Sequence, residues 1–307
     1  MTRIVCIGEC MVEMAPLETP GTYRMGFAGD TLNTAWYLAK LLGDRARVDY
    51  FTAVGTDPVS DQMLDFLTQE AIGTANILRR SDRTLGLYMI QLQNGERSFS
   101  YWRGQSAART LAQSGQDIAT ALHDADIAYF SGITLAILSQ HDRETLMTAL
   151  EAFSTSGGEI VFDPNLRPKL WTDPQDMTQA IMDAAGLSDI VLPSHEDEAT
   201  WFGDQSPEDT ARRYAQQGAG IVVVKNGPGE MVVHSDAGLS RHQPEQVSAV
   251  IDTTAAGDSF NAGFLAGYIA GEPLDQAIAA GARLAARVVT YRGALVEEAV
   301  LGPELAG

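Results

Sequence analysis

The sequence predicts an α/β fold, a doubly wound, mainly parallel sheet with helices on both faces and a small β-sheet beside it. Three observations predict it. From about Asp126 onward, short apolar runs at 127–130, 160–162, 190–192 and 221–224 alternate with longer segments of helical spacing. Strands that are apolar throughout are buried on both faces, as parallel sheets require. The run at 3–8 has the same character at the start of the chain, whereas 85–103 alternates instead and reads as a hairpin outside the main sheet. No repeat, low-complexity tract or linker divides the 307 residues. Residues 1–307 therefore read as one domain, with the small sheet drawn from about 10–27 and 85–104.

The first run, 3–8, ends at Glu9 and forms a buried strand. A stretch containing Pro16, Pro20 and Gly21 then leaves the main sheet. Residues 26–33 open a helix whose apolar positions Leu32, Ala35, Trp36, Ala39 and Leu42 keep helical spacing. Residues 48–55 read as the next strand and 59–69 as the helix after it. Asn94-Gly95 is the strongest short signal for a two-residue hairpin turn. On the returning strand Phe99, Tyr101 and Arg103 share one face. Ser139 caps a helix with Leu146, Ala149, Leu150 and Phe153 inward, and Ser206-Pro207 places serine at an N-cap with proline at the first helical position. Residues 281–294 read as a helix ending at Gly293.

A net charge of −19 argues against nucleic-acid binding through phosphate neutralisation. It also means that an anionic substrate needs dedicated cations, because the overall field repels it. Lysine occurs only at 40, 169 and 225. No apolar run reaches membrane-span length, and Met1 leads into a strand without a secretory pattern, so a cytoplasmic protein is expected. Cys6 and Cys10 lack zinc or thioredoxin spacing and read as structural thiols. His195 has no second histidine at metal spacing. The chain contains no Gly-Lys pair, which excludes a P-loop.

The most informative stretch is 251–264, Ile-Asp-Thr-Thr-Ala-Ala-Gly-Asp-Ser-Phe-Asn-Ala-Gly-Phe. Ala255, Ala256 and Gly257 have so little side chain that their N–H groups can close on an anion. The helix that follows, roughly 258–270, adds unpaired N–H groups and the positive end of its dipole. Asp258 stands where cradle and helix meet. It could simply cap the helix, but a cap requires neither small residues before it nor Asp252 six positions upstream. A carboxylate there is placed to take a proton from a hydroxyl that attacks a phosphate.

In doubly wound sheets, ligands bind beyond the carboxyl ends of the strands. After 160–162 come Asp163, Pro164, Asn165, Leu166 and Arg167, whose planar fork can receive a carboxylate; on local grounds a surface ion pair is the simpler reading. After 190–192 come Ser194, His195, Glu196, Asp197 and Glu198. After 221–224 come Lys225, Gly227 and Gly229, a tight turn into a second apolar run at 231–233.

The string 252–258 resembles the Asp-Thr-x-Gly-Ala-Gly-Asp signature of the ribokinase-like (PfkB) carbohydrate kinases, with Ala255 in place of the first glycine. Segments 26–34, 101–103, 131–138 and 165–171 extend the resemblance over nearly the whole chain, toward members that act on a six-carbon acid sugar. It implies a ribokinase-like fold and ATP-dependent phosphorylation of a sugar hydroxyl. Asp258 would be the base, with the N–H groups of Ala255, Ala256 and Gly257 around the phosphate. Gly29, Asp30, Asn33, Tyr88, Tyr101, Arg103 and Arg167 would surround the sugar, under the small sheet as a lid. Asn165, Ser194, Lys225, Gly227, Gly229, Ala255, Gly257 and Ala282 would meet ATP. Asp197 would serve Mg²⁺ through water, with Glu196 and Glu198 as competing acids. A monovalent cation such as K⁺ near Asp252 is left open, and a homo-oligomer is expected. The rivals are a kinase for fructose or 5-keto-2-deoxygluconate, and a non-catalytic sugar-binding regulator.

Overall fold

The computed structural model describes residues 1–93 and 96–301. In chain order the strands are β1 (Thr2–Ile7), β2 (Met11–Pro16), β3 (Tyr23–Ala28), β4 (Ala46–Phe51), β5 (Ala53–Gly55), β6 (Leu78–Arg80), β7 (Gly86–Gln93) and β8 (Glu96–Trp102). They continue as β9 (Ile127–Ser131), β10 (Glu159–Asp163), β11 (Ile190–Val191), β12 (Ile221–Val224), β13 (Met231–Ser235) and β14 (Gly238–His242).

The apolar runs assemble into one sheet of order β14-β13-β12-β11-β10-β9-β1-β4, parallel from β4 to β12 and antiparallel at β13 and β14. Because each run is apolar on both sides, helices must cover both faces. On one face Cys6, Tyr50, Tyr129, Val161 and Val223 pack under helices Asp30–Leu42, Ala256–Ile269 and Leu274–Val288. On the other, Phe51, Phe130, Phe162 and Val224 meet helices Gln140–Thr155, Pro174–Gly186 and Pro207–Gln217. The winding reverses between β1 and β9, which opens a crevice at the carboxyl ends of these strands.

A separate four-stranded sheet has the order β3-β2-β7-β8. Direct pairing places Glu13, Tyr88 and Tyr101 side by side on one face, because Glu13 opposes Tyr88 and Tyr88 opposes Tyr101. The register Gln93–Glu96 spans Asn94 and Gly95, and the expected turn itself lies outside the described residues.

The structure differs from expectation at three places. The run 48–55 breaks at Thr52, since β5 leaves the main sheet to pair with β6. The last long helix spans Leu274–Val288 and begins after Pro273, well before Gly281, and Gly293 lies in a later turn with φ 101°. β14 extends the sheet edge with a mostly exposed strand of little apolar character. The two final long helices cross with backbones in contact: a Cβ on Gly263 would lie 2.9 Å from Gly281 Cα, and one on Gly281 would lie 2.7 Å from the Phe260 carbonyl oxygen.

Candidate active site

The string around residue 255 folds as its small residues allow. Asp252 stays under the loop, accepting from the N–H and hydroxyl of Thr254 (3.0 and 2.7 Å) and from the Gly293 N–H (2.7 Å). Ala255 follows in the left-handed region (φ 57°, ψ 18°) and caps helix Ala256–Ile269 without a side-chain bond. The Ala256 N–H, expected to face an anion, instead turns back to the Thr253 carbonyl at 3.2 Å. The N–H groups of Ala255 and Gly257 lie at this open helix end, where such groups can hold an anion. Ala255 packs against a small apolar cluster of Met11, Ala28, Tyr88, Ile90 and Ala294, which links the four-stranded sheet to the anion loop.

Asp258 is half-buried in the first helical turn, and Asn33 Nδ2 donates to its Oδ2 at 2.7 Å. Burial first, and then the negative charge of Asp30, push the Asp258 carboxyl up to about 8; Asp163 adds to the rise, while the Asn33 hydrogen bond and the Lys225 charge oppose it. Asp30 is itself raised by burial, against hydrogen bonds from Ser131, Thr31 and Asn165. Asn165, expected on the nucleotide side, gives its amide to Asp30 Oδ2 at 2.8 Å, and its backbone has φ 33°. Gly29 is extended, and its missing side chain matters: a Cβ there would lie 2.1 Å from the Glu9 carbonyl oxygen.

On the four-stranded sheet, Tyr88 is buried and donates to Glu13, with its ring 5.9 Å from that of Tyr101, which is 53% exposed. Arg103 is ion-paired to the buried Glu9, and its Nε is buried without a partner. Arg167 is half-exposed at the mouth of β10, where its Nη1 stands 3.6 Å from Asp197 Oδ2. Glu198, one of the competing acids, is removed from that role. It is fully buried and accepts from Arg213 (2.7 Å) and Tyr214 (2.9 Å). Among the described residues no cluster of three metal-ligating side chains exists.

Lys225 lies at the end of β12, with its backbone joined to Pro193 and His195 beside Ser194. Its Nζ points at the cradle: a Cβ on Gly257 would stand 3.6 Å from it. Gly227 (φ 52°) and Gly229 turn the chain beyond it, the latter against Asn226, where a Cβ would lie 2.7 Å from Asn226 Nδ2. Ala282 is in the main core, and no polar contact ties it to the cradle. Asp163, already noted at a strand end, joins three residues not singled out from sequence, Asn261, Tyr129 and Thr34, in a buried hydrogen-bonded group behind Lys225 and Asp258. Only Asp163 carried any local signal, as a polar residue at a strand end.

An open helix terminus with an ammonium and a half-buried carboxylate beside it can bind a polyphosphate and take a proton from a nearby hydroxyl. The family described as pfkB family carbohydrate kinase matches residues 1–298. The chain is 38% identical to a 2-dehydro-3-deoxygluconokinase of Haemophilus influenzae over 98% of each chain. It is 40% identical to one of Escherichia coli strain K12, covering 96% of this chain and 97% of the other. Among solved structures, a fructokinase double mutant from Vibrio cholerae, with fructose, ADP and potassium ion bound, has a TM-score of 0.83 at 26% identity over 98% and 97% of the two chains.

Proposed function

The chain belongs to the pfkB family of carbohydrate kinases, and from that premise we propose that it transfers the γ-phosphoryl group of ATP to O6 of 2-keto-3-deoxy-D-gluconate. The observation that carries the chemistry is Asp258 at the mouth of an open helix end, hydrogen-bonded to Asn33. The near-full-length similarity to two 2-dehydro-3-deoxygluconokinases supports the sugar. So do two arginines in a chain of net charge −19, one with a buried unpartnered donor and one half-exposed at a strand end. A neutral hexose needs neither.

Asp258 accepts the proton of the attacking hydroxyl, while the N–H groups of Ala255 and Gly257 and the Lys225 ammonium hold the phosphate charge. The cradle fits a nucleotide phosphate, since glycine at 257 leaves room beside Lys225 Nζ. Mg²⁺, when bound, would neutralise phosphate charge and keep several waters, and Asp197 would reach it through one of them. A K⁺ ion near the Asp252 loop belongs to the same reading, and the fructokinase of similar structure with potassium ion bound supports it. Closure of the four-stranded sheet over the sugar excludes water and suppresses ATP hydrolysis. Exposed Met25, Phe99, Tyr101 and Trp102 on that sheet support self-association, which light scattering tests. No helix among the described residues is long and apolar enough to cross a membrane.

The test is a coupled ADP-release assay with Mg-ATP over a panel of acid and neutral sugars. Turnover on 2-keto-3-deoxygluconate well above fructose and 5-keto-2-deoxygluconate is expected; the reverse order sinks the assignment.

A further inference from the structure

The buried group behind the cradle contains an amide that the proposed chemistry does not use. Asn261 is fully buried, one turn along the helix from Asp258. Its Nδ2 donates to Tyr129 Oη at 3.0 Å and to Asp163 Oδ2 at 2.8 Å, and its Oδ1 accepts from Lys225 Nζ at 2.9 Å. These partners fix which way the amide faces, because an ammonium can only donate and a carboxylate can only accept. Lys225 Nζ also stands 3.4 Å from Asp163 Oδ1. Two of its three N–H directions are therefore held from behind, and the Gly257 end of the cradle lies on its open side. The same group reaches the base: the Thr34 hydroxyl contacts both Tyr129 Oη (3.2 Å) and the Asp258 carbonyl (3.3 Å).

We propose that Asn261, together with Asp163, is a positioning residue that pins the Lys225 ammonium at the open helix end, so that its remaining N–H meets a nucleotide phosphate. The inference rests on the kinase reading for the identity of the anion. A lysine has a long flexible stem, and holding it in place beforehand removes the entropy loss that binding would otherwise carry. An amide is suited to this because it adds no charge. Asp258 already faces Asp30 from the first helix and Asp163 from β10, against Lys225 from β12, with the hydroxyls of Tyr37 and Tyr129 nearby. A carboxylate at 261 would be a third acid facing the base, and an apolar side chain would release the lysine.

Three variants test this, Asn261→Leu, Lys225→Met and the double variant, with Mg-ADP binding measured by calorimetry without sugar. Each single variant is expected to weaken Mg-ADP about tenfold, the loss of one charge-assisted hydrogen bond, and the double variant no further than about threefold beyond either. A folded Asn261→Leu protein that binds Mg-ADP like the wild type overturns the proposal, as do losses that simply add. Should Asn261→Leu fail to fold, Asn261→Asp decides. It is expected to keep Mg-ADP affinity within about threefold while moving the acid limb of kcat/KM to higher pH, and an unmoved limb overturns the proposal. The calorimetric measurements need no sugar, so a wrong acceptor sugar would leave their outcome unchanged.

Discussion

Asn33 Nδ2 donates to Asp258 Oδ2 across 2.7 Å, joining the start of the first long helix to the start of a helix 225 residues later in the chain. The bond places the carboxylate between a residue expected around the sugar and a cradle expected around the phosphate. It also fixes one carboxylate oxygen and leaves the other to meet a hydroxyl.

Asp258→Asn keeps the shape of this contact and removes the proton acceptor. Turnover should fall roughly 10²–10⁴-fold, with Mg-ADP affinity by calorimetry little changed. Near-normal kcat in this variant would remove Asp258 from the role of base.

The pH profile follows from burial and from Asp30, which push the Asp258 carboxyl up to about 8. Only the ionised form can accept a proton, so kcat/KM should rise with pH and level off above about pH 8. Asp30→Asn removes the largest charge contribution and should move this limb to lower pH. Stability runs the opposite way. Between the unfolded value of about 3.9 and the folded one, the folded chain holds a proton that the unfolded chain has lost. Stability should therefore fall as pH rises across that window and be flat above it, and Asp258→Asn should flatten the decline in urea titrations at several pH values.

Ala255 occupies the left-handed region at φ 57°, where a Cβ costs about 1 kcal/mol. Ala255→Gly relieves that strain but adds freedom to the unfolded chain and gives up the packing of the methyl, so stability should stay within about 0.5 kcal/mol of the wild type. A calorimetric Tm shifted by more than a few degrees either way would contradict this balance.

Arg167 is half-exposed, its Nη1 donating to the Leu166 carbonyl at 2.7 Å and standing 3.6 Å from Asp197. Arg167→Ala should raise KM for the acid sugar by about tenfold or more, while the weak activity on fructose changes little. Equal losses on both sugars would mean that Arg167 does not read the carboxylate.

Much of this was legible in the sequence. The serine caps at 139 and 206 and most of the continuous apolar strands carry their own local signal, and the structure places them as those signals indicate; the loop 252–258 does run into a helix, which starts at Ala256 and takes the Ala256 N–H into a turn. What stayed hidden depends on contacts between distant segments. Tyr129 sits inside an apolar run and Asn261 inside a string of small residues, so no spacing reveals that Asn261 meets both Tyr129 and Asp163. Glu198 looked like a metal acid because its actual partners, Arg213 and Tyr214, lie on the next helix. The break at Thr52 is invisible in hydropathy, since only pairing with β6 separates β5 from β4.

The Gly263–Gly281 crossing makes the base of the cradle a fulcrum. Gly263 is six residues beyond Gly257, about 9 Å along the helix axis at 1.5 Å per residue. A single methyl inserted at that contact, with 2.7–2.9 Å available, must lever the two helices apart and swing the distant end that carries Asp258. Drift at these two positions would thus be felt as lost catalysis by an enzyme whose ligand-touching residues were all still in place.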